Sequence, residues 1–129
     1  MNSQLPNTSS SECELKEGVL MTKSSSKKRV TWKPRNFILS ADSLRWYTHR
    51  SDGVSQPRGF LQLTTVTLST KLDPKELRAQ QVPKRAPLLC LKLESQGGLP
   101  PLYVHAADLE DKQQWVSALR VLLLRRILL

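Results

Sequence analysis

Apolar and polar residues alternate in short runs over most of the chain, and the spacing changes only near its end. GVLMT (18–22) has the β-branched and apolar content of a short strand, a triple Ser breaks it, and VTWKPRNFIL (30–39) resumes as a second strand. The residues between them therefore occupy a hairpin tip. SADS reads as a turn, LRWYTHR (44–50) as a third strand, SDG as another turn and GFLQL (59–63) as a fourth strand. Apolar parity then runs through Leu61 and Leu63 and switches to Val66 and Leu68, which puts a bulge or a break between two short strands at Thr64 and Thr65. LLCLKLE (88–94) and LYVHA (102–106) supply the sixth and seventh strands. Seven short strands with turn signals between them predict a mainly β fold, an antiparallel bent sandwich or barrel. After it the period changes: Trp115, Ala118, Leu119 and Leu122 fall at i, i+3, i+4 and i+7 behind Asp108 as N-cap, with Asp111 three positions on. One amphipathic C-terminal α-helix caps the domain.

Three segments stand outside this pattern. Residues 1–15 are rich in Ser, Asn and Gln and predict a disordered leader, so the domain spans 16–124. Residues 71–87 hold three prolines and mixed charge and read as a long loop with room for one helical turn at PKELRAQ. If that loop folds beside the hairpin tip, its Lys71, Lys75, Arg78, Lys84 and Arg85 extend a positive mouth. The end of the chain, VLLLRRILL, with 125–129 as an apolar and basic tail, is apolar all round and exceeds what one helix face buries. It reads as a partner or oligomer contact, as Ile127, Leu128 and Leu129 entering lipid beside Arg125 and Arg126, or as a frayed end.

Composition narrows the class. A chain of 129 residues with 39% hydrophobic residues forms one small domain. No stretch reaches the ~20 apolar residues of a membrane span, and the polar start lacks the regions of a signal peptide, so the expected compartment is the cytosol. Cys13 and Cys90 are expected to be reduced, and with His49 and His105 they give no metal-ligand spacing. Neither His has a nearby Ser or Cys to activate, so the expectation is no enzyme, no cofactor and no metal.

Charge adds the functional clue. Of the net +9, +6 falls in KSSSKKRVTWKPR (23–35), where Lys23, Lys27, Lys28, Arg29, Lys33 and Arg35 stand without an acid. That concentration points to phosphate groups on a lipid, a nucleic acid or a phosphorylated partner, or else to a solvated loop. In the second strand Lys33, Arg35, Phe37 and Leu39 share one parity, which puts cations at one end of a face and core residues at the other. The start of that strand should open into a mouth. Nucleic acid is disfavoured because the aromatics are few and have a buried pattern.

The order of these parts resembles a pleckstrin-homology domain. KEGVL (16–20), WKPRNFIL (32–39), SLRWY (43–47), PRGFLQL (57–63) and DKQQWVSAL (111–119) are similar, in order, to that family's first four strands and its Trp-centred helix. The resemblance implies a non-catalytic signalling or adaptor module that binds a phosphoinositide or another anionic lipid and associates peripherally with the cytoplasmic face of membranes. It implies headgroup contacts from Lys23, Lys33, Arg35 and Arg58, with Lys27, Lys28 and Arg29 attracting the membrane electrostatically. Thr22 stands where many headgroup binders have the first-strand Lys, and Pro34 and Asn36 replace the more usual cationic and aromatic residues. The implied site is thus either a selective pocket or a looser charged patch. The other readings are a protein-interaction module of the same fold with a phosphopeptide or GTPase partner, Lys33 and Arg35 covering the rim with their stems, and Arg58 pairing with Asp52.

Overall fold

The longest element, β1 (Glu14–Ser25), pairs along its whole length with β2 (Val30–Ser40). In the computed structural model, which describes residues 14–25, 30–49, 53, 55–97 and 99–128, these are followed by β3 (Ser43–Thr48), β4 (Pro57–Gln62) and a 3-10 turn at Leu63–Thr65. Then come β5 (Val66–Ser69), helix α1 (Pro74–Ala79), a 3-10 turn at Pro87–Leu89, β6 (Cys90–Ser95), β7 (Leu102–His105) and helix α2 (Leu109–Leu128). The expected break at Thr64 and Thr65 is the first of these turns. The first strand starts earlier than expected, at Glu14, because that residue pairs with Ser40 across a bulge between Glu14 and Lys16.

The seven strands form one antiparallel sheet in the order β4-β3-β2-β1-β7-β6-β5. Its inner face carries Leu20, Phe37, Leu39, Leu44, Leu91, Leu93 and Val104, all buried. Leu61 from one end of the sheet and Val66 and Leu68 from the other pack against that same cluster, so the sheet has to curl round a common core. Helix α2 closes it with Trp115, Leu119 and Leu122, the positions its periodicity singles out. Its N-terminus is capped as the sequence predicts: Asp111 N–H donates to Asp108 Oδ1 at 2.8 Å, and Asp111 Oδ2 accepts from the Ala107 N–H at 3.2 Å. Among the described residues no helix is long and apolar enough to cross a membrane.

Residues 71–87 form the helical turn expected at PKELRAQ, as α1. They fold against the outer face of the sheet, where Leu72, Cys90 and Tyr103 form a second buried cluster with Trp32, Leu77 and Val82. The sequence shows no period there because the segment is shaped by what it covers. Asp73 caps α1 by accepting from the Glu76 N–H at 2.8 Å, and Pro74 fills the first turn, where its missing N–H costs nothing. Gln81 turns the chain at φ 53°, and its carbonyl accepts from Trp32 Nε1 at 3.0 Å. Lys112 of α2 donates to the carbonyls of Thr70 and Leu88, both at 2.7 Å, tying both ends of the segment to the closing helix. Beneath it the Cys90 thiol, pushed up to about 11 by burial, stays protonated and donates to the Ala86 carbonyl.

Two expectations follow. Trp115 is fully buried at the junction of sheet and helix, so Trp115→Ala should cost about 3–5 kcal/mol in urea unfolding. Glu76 accepts from Lys92 at 2.6 Å and from the Tyr103 hydroxyl at 2.7 Å, and these partners hold its carboxyl below the ordinary 4.5. Its stabilising contribution is complete above that ordinary value and is lost as pH falls through the lower folded one. Melting temperatures taken from pH 7 down to pH 3 should therefore fall less steeply for Glu76→Gln than for the wild type; parallel curves would remove Glu76 from the acid response.

Candidate functional site

Opposed residues in an antiparallel ladder share a face, so the pairing of β1 with β2 assigns every cation of the hairpin. Lys33 lies opposite Thr22, Arg35 opposite Leu20, Phe37 opposite Gly18 and Leu39 opposite Lys16. Along the inner face of β2 exposure rises steadily, from buried Leu39 and Phe37 through half-buried Arg35 to exposed Lys33. The mouth expected from the parity of that strand is the upper end of this gradient.

A second cation reaches the mouth from β4. Tyr47 pairs with Pro57 and Trp46 with Gly59, which leaves Arg58 as the extra residue of a β-bulge. Bulges re-aim a side chain, and here the neighbouring strand β3 also places Thr48 opposite Arg35. The bulge is set by its surroundings: a Cβ on Gly59 would lie 2.1 Å from Trp46 Cε2, and Trp46 is itself stacked on Phe37 with ring centroids 5.2 Å apart. Only glycine admits that indole across β4.

Burial, and after it the charge of Arg58, lowers the Arg35 pKa, though a guanidinium remains charged at any pH the fold survives. Arg35 Nη1 donates to the Pro34 carbonyl at 3.0 Å. Among the described residues, none of Lys33, Arg35 and Arg58 is joined to a carboxylate. Asp52, the acid expected as a competitor for Arg58, lies outside the described residues, as do Lys27, Lys28 and Arg29.

Lys23 is not brought to this group. It lies opposite Trp32, on the outer face, where its ammonium donates to Gln80 Oε1 and stands 5.6 Å from the centroid of the Tyr103 ring. Its place in the fold is to hold the segment carrying α1. The inward position one residue earlier belongs to Thr22, buried, with its hydroxyl donating to the Tyr103 carbonyl at 3.2 Å. The mouth thus has two strands contributing cations, β2 and β4, and a neutral hydroxyl from β1. Because 71–87 packs on the outer face, its Arg78 and Lys84 line a separate groove with Pro74, Leu77, Val82 and Pro83 and do not join Lys33 and Arg35. The sequence alone gave no sign of the bulge that aims Arg58, since it depends on the pairing of β3 with β4.

His49 is exposed. His105 sits on the outer face with its ring 5.2 Å from that of Trp32, and burial lowers its pKa, which keeps it neutral at physiological pH.

Comparison with known proteins agrees with the architecture. No curated protein matches the chain. Among solved structures, the C-terminal PH domain of pleckstrin in complex with D-myo-Ins(1,2,3,5,6)P5 is similar at 19% identity over 87% of this chain and 97% of that one, with a TM-score of 0.63. The Slm1 PH domain in complex with phosphoserine is similar at 16% identity over 84% of this chain and 94% of that one, TM-score 0.62. The DH/PH fragment of PDZRHOGEF in its complex with human RhoA gives 16% identity, 88% and 29% coverage and a TM-score of 0.65. At these identities the likeness is one of fold. The model of the PH domain family, however, matches residues 14–123, most of the chain, and with the strand order and closing helix in agreement the chain belongs to the PH domain family.

Proposed function

We propose that this PH domain is a non-catalytic recruitment module that binds a phosphoinositide headgroup, within an anionic membrane surface, through Lys33, Arg35 and Arg58. The observation that supports it is the placement of Arg35 on β2 and of Arg58 in the bulge of β4 close enough to repel electrostatically, with no carboxylate joined to either among the described residues. A phosphate group accepting hydrogen bonds from both forks relieves that repulsion. Lys33 adds a compact charge at the rim. The pleckstrin domain bound to an inositol phosphate shows that this fold accommodates such a ligand, and brings the chemistry within reach of this chain.

Lys27, Lys28 and Arg29 belong to the same reading as the charge that the sequence places between β1 and β2. Each basic residue near an anionic leaflet adds on the order of 1 kcal/mol, screened beyond ~8 Å at physiological salt. With Thr22 in place of a first-strand cation, selectivity among headgroups rests on Arg35 and Arg58 alone, and the tip supplies attraction that does not discriminate. The working location is the cytoplasmic face of a membrane.

Liposome co-sedimentation tests this with phosphatidylserine vesicles, with and without phosphatidylinositol bisphosphate or trisphosphate, at two salt concentrations. Phosphoinositide should strengthen pelleting beyond its charge. Replacing both Lys33 and Arg35 by Ala should weaken binding about 30-fold, from ~2 kcal/mol of lost attraction, with the melting temperature nearly intact. A large loss of stability would assign the pair to rim packing, and no pelleting of the wild type would move the function to protein contacts. Lys23→Ala should do the reverse, leaving pelleting within about twofold and lowering stability by ~0.5–1 kcal/mol through the lost contact with Tyr103.

A further inference from the structure

We propose that the free edge of β5 and the last turns of α2 form a second docking site, which takes an extended peptide segment of a partner protein with apolar residues at alternate positions and a carboxylate opposite Arg120. Three observations carry it. First, β5 ends the sheet: Val66–Ser69 pair with β6, and the order of strands leaves their other edge without a strand partner among the described residues. Such an edge presents a row of backbone donors and acceptors, and folds commonly blunt it with charge or proline. VTLS has neither.

Second, a groove of about 380 Å³ runs beside that edge, lined by Val66, Leu68, Leu123 and Leu124 with Arg120 among them. Leu122 is buried, and Leu124, two positions on and so on the other side of the helix, is 57% exposed. Leu123 and Leu124, part of the apolar excess near the end of α2, therefore line a face that the domain itself leaves open. Third, charge selects the occupant. From Lys112 to its end the chain has Lys112, Arg120, Arg125 and Arg126 and no acid. Lys112 is committed to the carbonyls of Thr70 and Leu88, whereas Arg120 is exposed and joined to no carboxylate among the described residues. A second copy paired edge to edge would bring together two helix ends that carry arginine and no acid, which like charge opposes. A lipid surface offers no backbone to a strand edge. An extended acidic and apolar peptide answers all three features, with main-chain hydrogen bonds for affinity and alternate side chains for specificity.

The site is independent of the mouth and is tested separately. A displayed library of random dodecapeptides is selected on the full chain, and enriched peptides are synthesised and titrated into isotope-labelled protein by NMR. Enriched sequences should alternate apolar residues with Asp or Glu, and the amides of Val66–Ser69 should exchange about tenfold more slowly in the complex. Arg120→Glu should weaken binding about tenfold or more, Leu124→Asp should weaken it by a similar factor, and the Lys33 and Arg35 double variant should bind within about twofold of wild type. The proposal is overturned by an absence of enrichment, by peptides that perturb amides elsewhere, by an Arg120→Glu variant that binds unchanged, or by a dimer built on β5 without peptide.

Discussion

The unbroken register of β1 on β2 is the constraint from which the rest of the molecule follows. From Lys16 opposite Leu39 to Ser25 opposite Val30 no residue is inserted on either strand, and the irregularity lies at the far end, beside Glu14. A slip of β2 by one residue would turn Phe37 and Leu39 out of the core. At ~2 kcal/mol for each buried apolar side chain that costs about 4 kcal/mol, a large share of the whole stability of a small domain. The register is therefore fixed by the core, and the cations take whatever face the core leaves them. Lys33 and Arg35 point with the buried residues and Lys23 points with Trp32 because Phe37 and Leu39 cannot be anywhere else.

The sheet has two apolar faces of unequal weight. The inner one holds Trp115 and most of the buried side chains; the outer one holds Leu72, Cys90 and Tyr103 under α1. A helix of six residues has little stability of its own, so α1 stays in place through tertiary bonds: Trp32 to Gln81, Lys23 to Gln80, and Glu76 to Lys92 and Tyr103. Most of these are polar and partly solvated, which puts the segment at the low end of the range of local opening energies. Polar residues of the hairpin are thus divided by face between two tasks, with the outer ones securing a covering segment and the inner ones left unneutralised.

How much of this was legible depends on how local the cause is. Alternation in β2 and the i, i+3, i+4, i+7 spacing of α2 are local, and they gave the face of Arg35 and the burial of Trp115 directly. The change of parity at Thr64 and Thr65 located the turn between β4 and β5 for the same reason. Parity also separates Lys23 from Lys33, since Thr22 and not Lys23 lies opposite Lys33, but the resemblance of motifs pulled Lys23 into the site. What the sequence hid was non-local. The aim of Arg58 depends on Trp46 lying across Gly59, and the path of 71–87 depends on the outward faces of Tyr103 and Cys90, neither of which leaves a period in the segment itself.

The two proposed sites use different parts of the sheet, and this has an energetic consequence. The mouth is built from β2 and β4; the edge groove is built from β5 and α2, the strand at the opposite end of the sheet order. Neither ligand displaces the other's contacts, so both can be held at once. Electrostatic attachment through a few cations is weak and salt-sensitive, and a four-residue edge strand also gives modest affinity alone. When the peptide belongs to a protein already at the membrane, the second contact becomes intramolecular, at an effective concentration in the millimolar range for a short tether. On these two proposals, contacts too weak to hold the domain separately would hold it together, and only where the lipid and the partner coincide. Increasing either affinity alone would lose that requirement, and a neutral Thr22 in the first strand of the mouth is consistent with it.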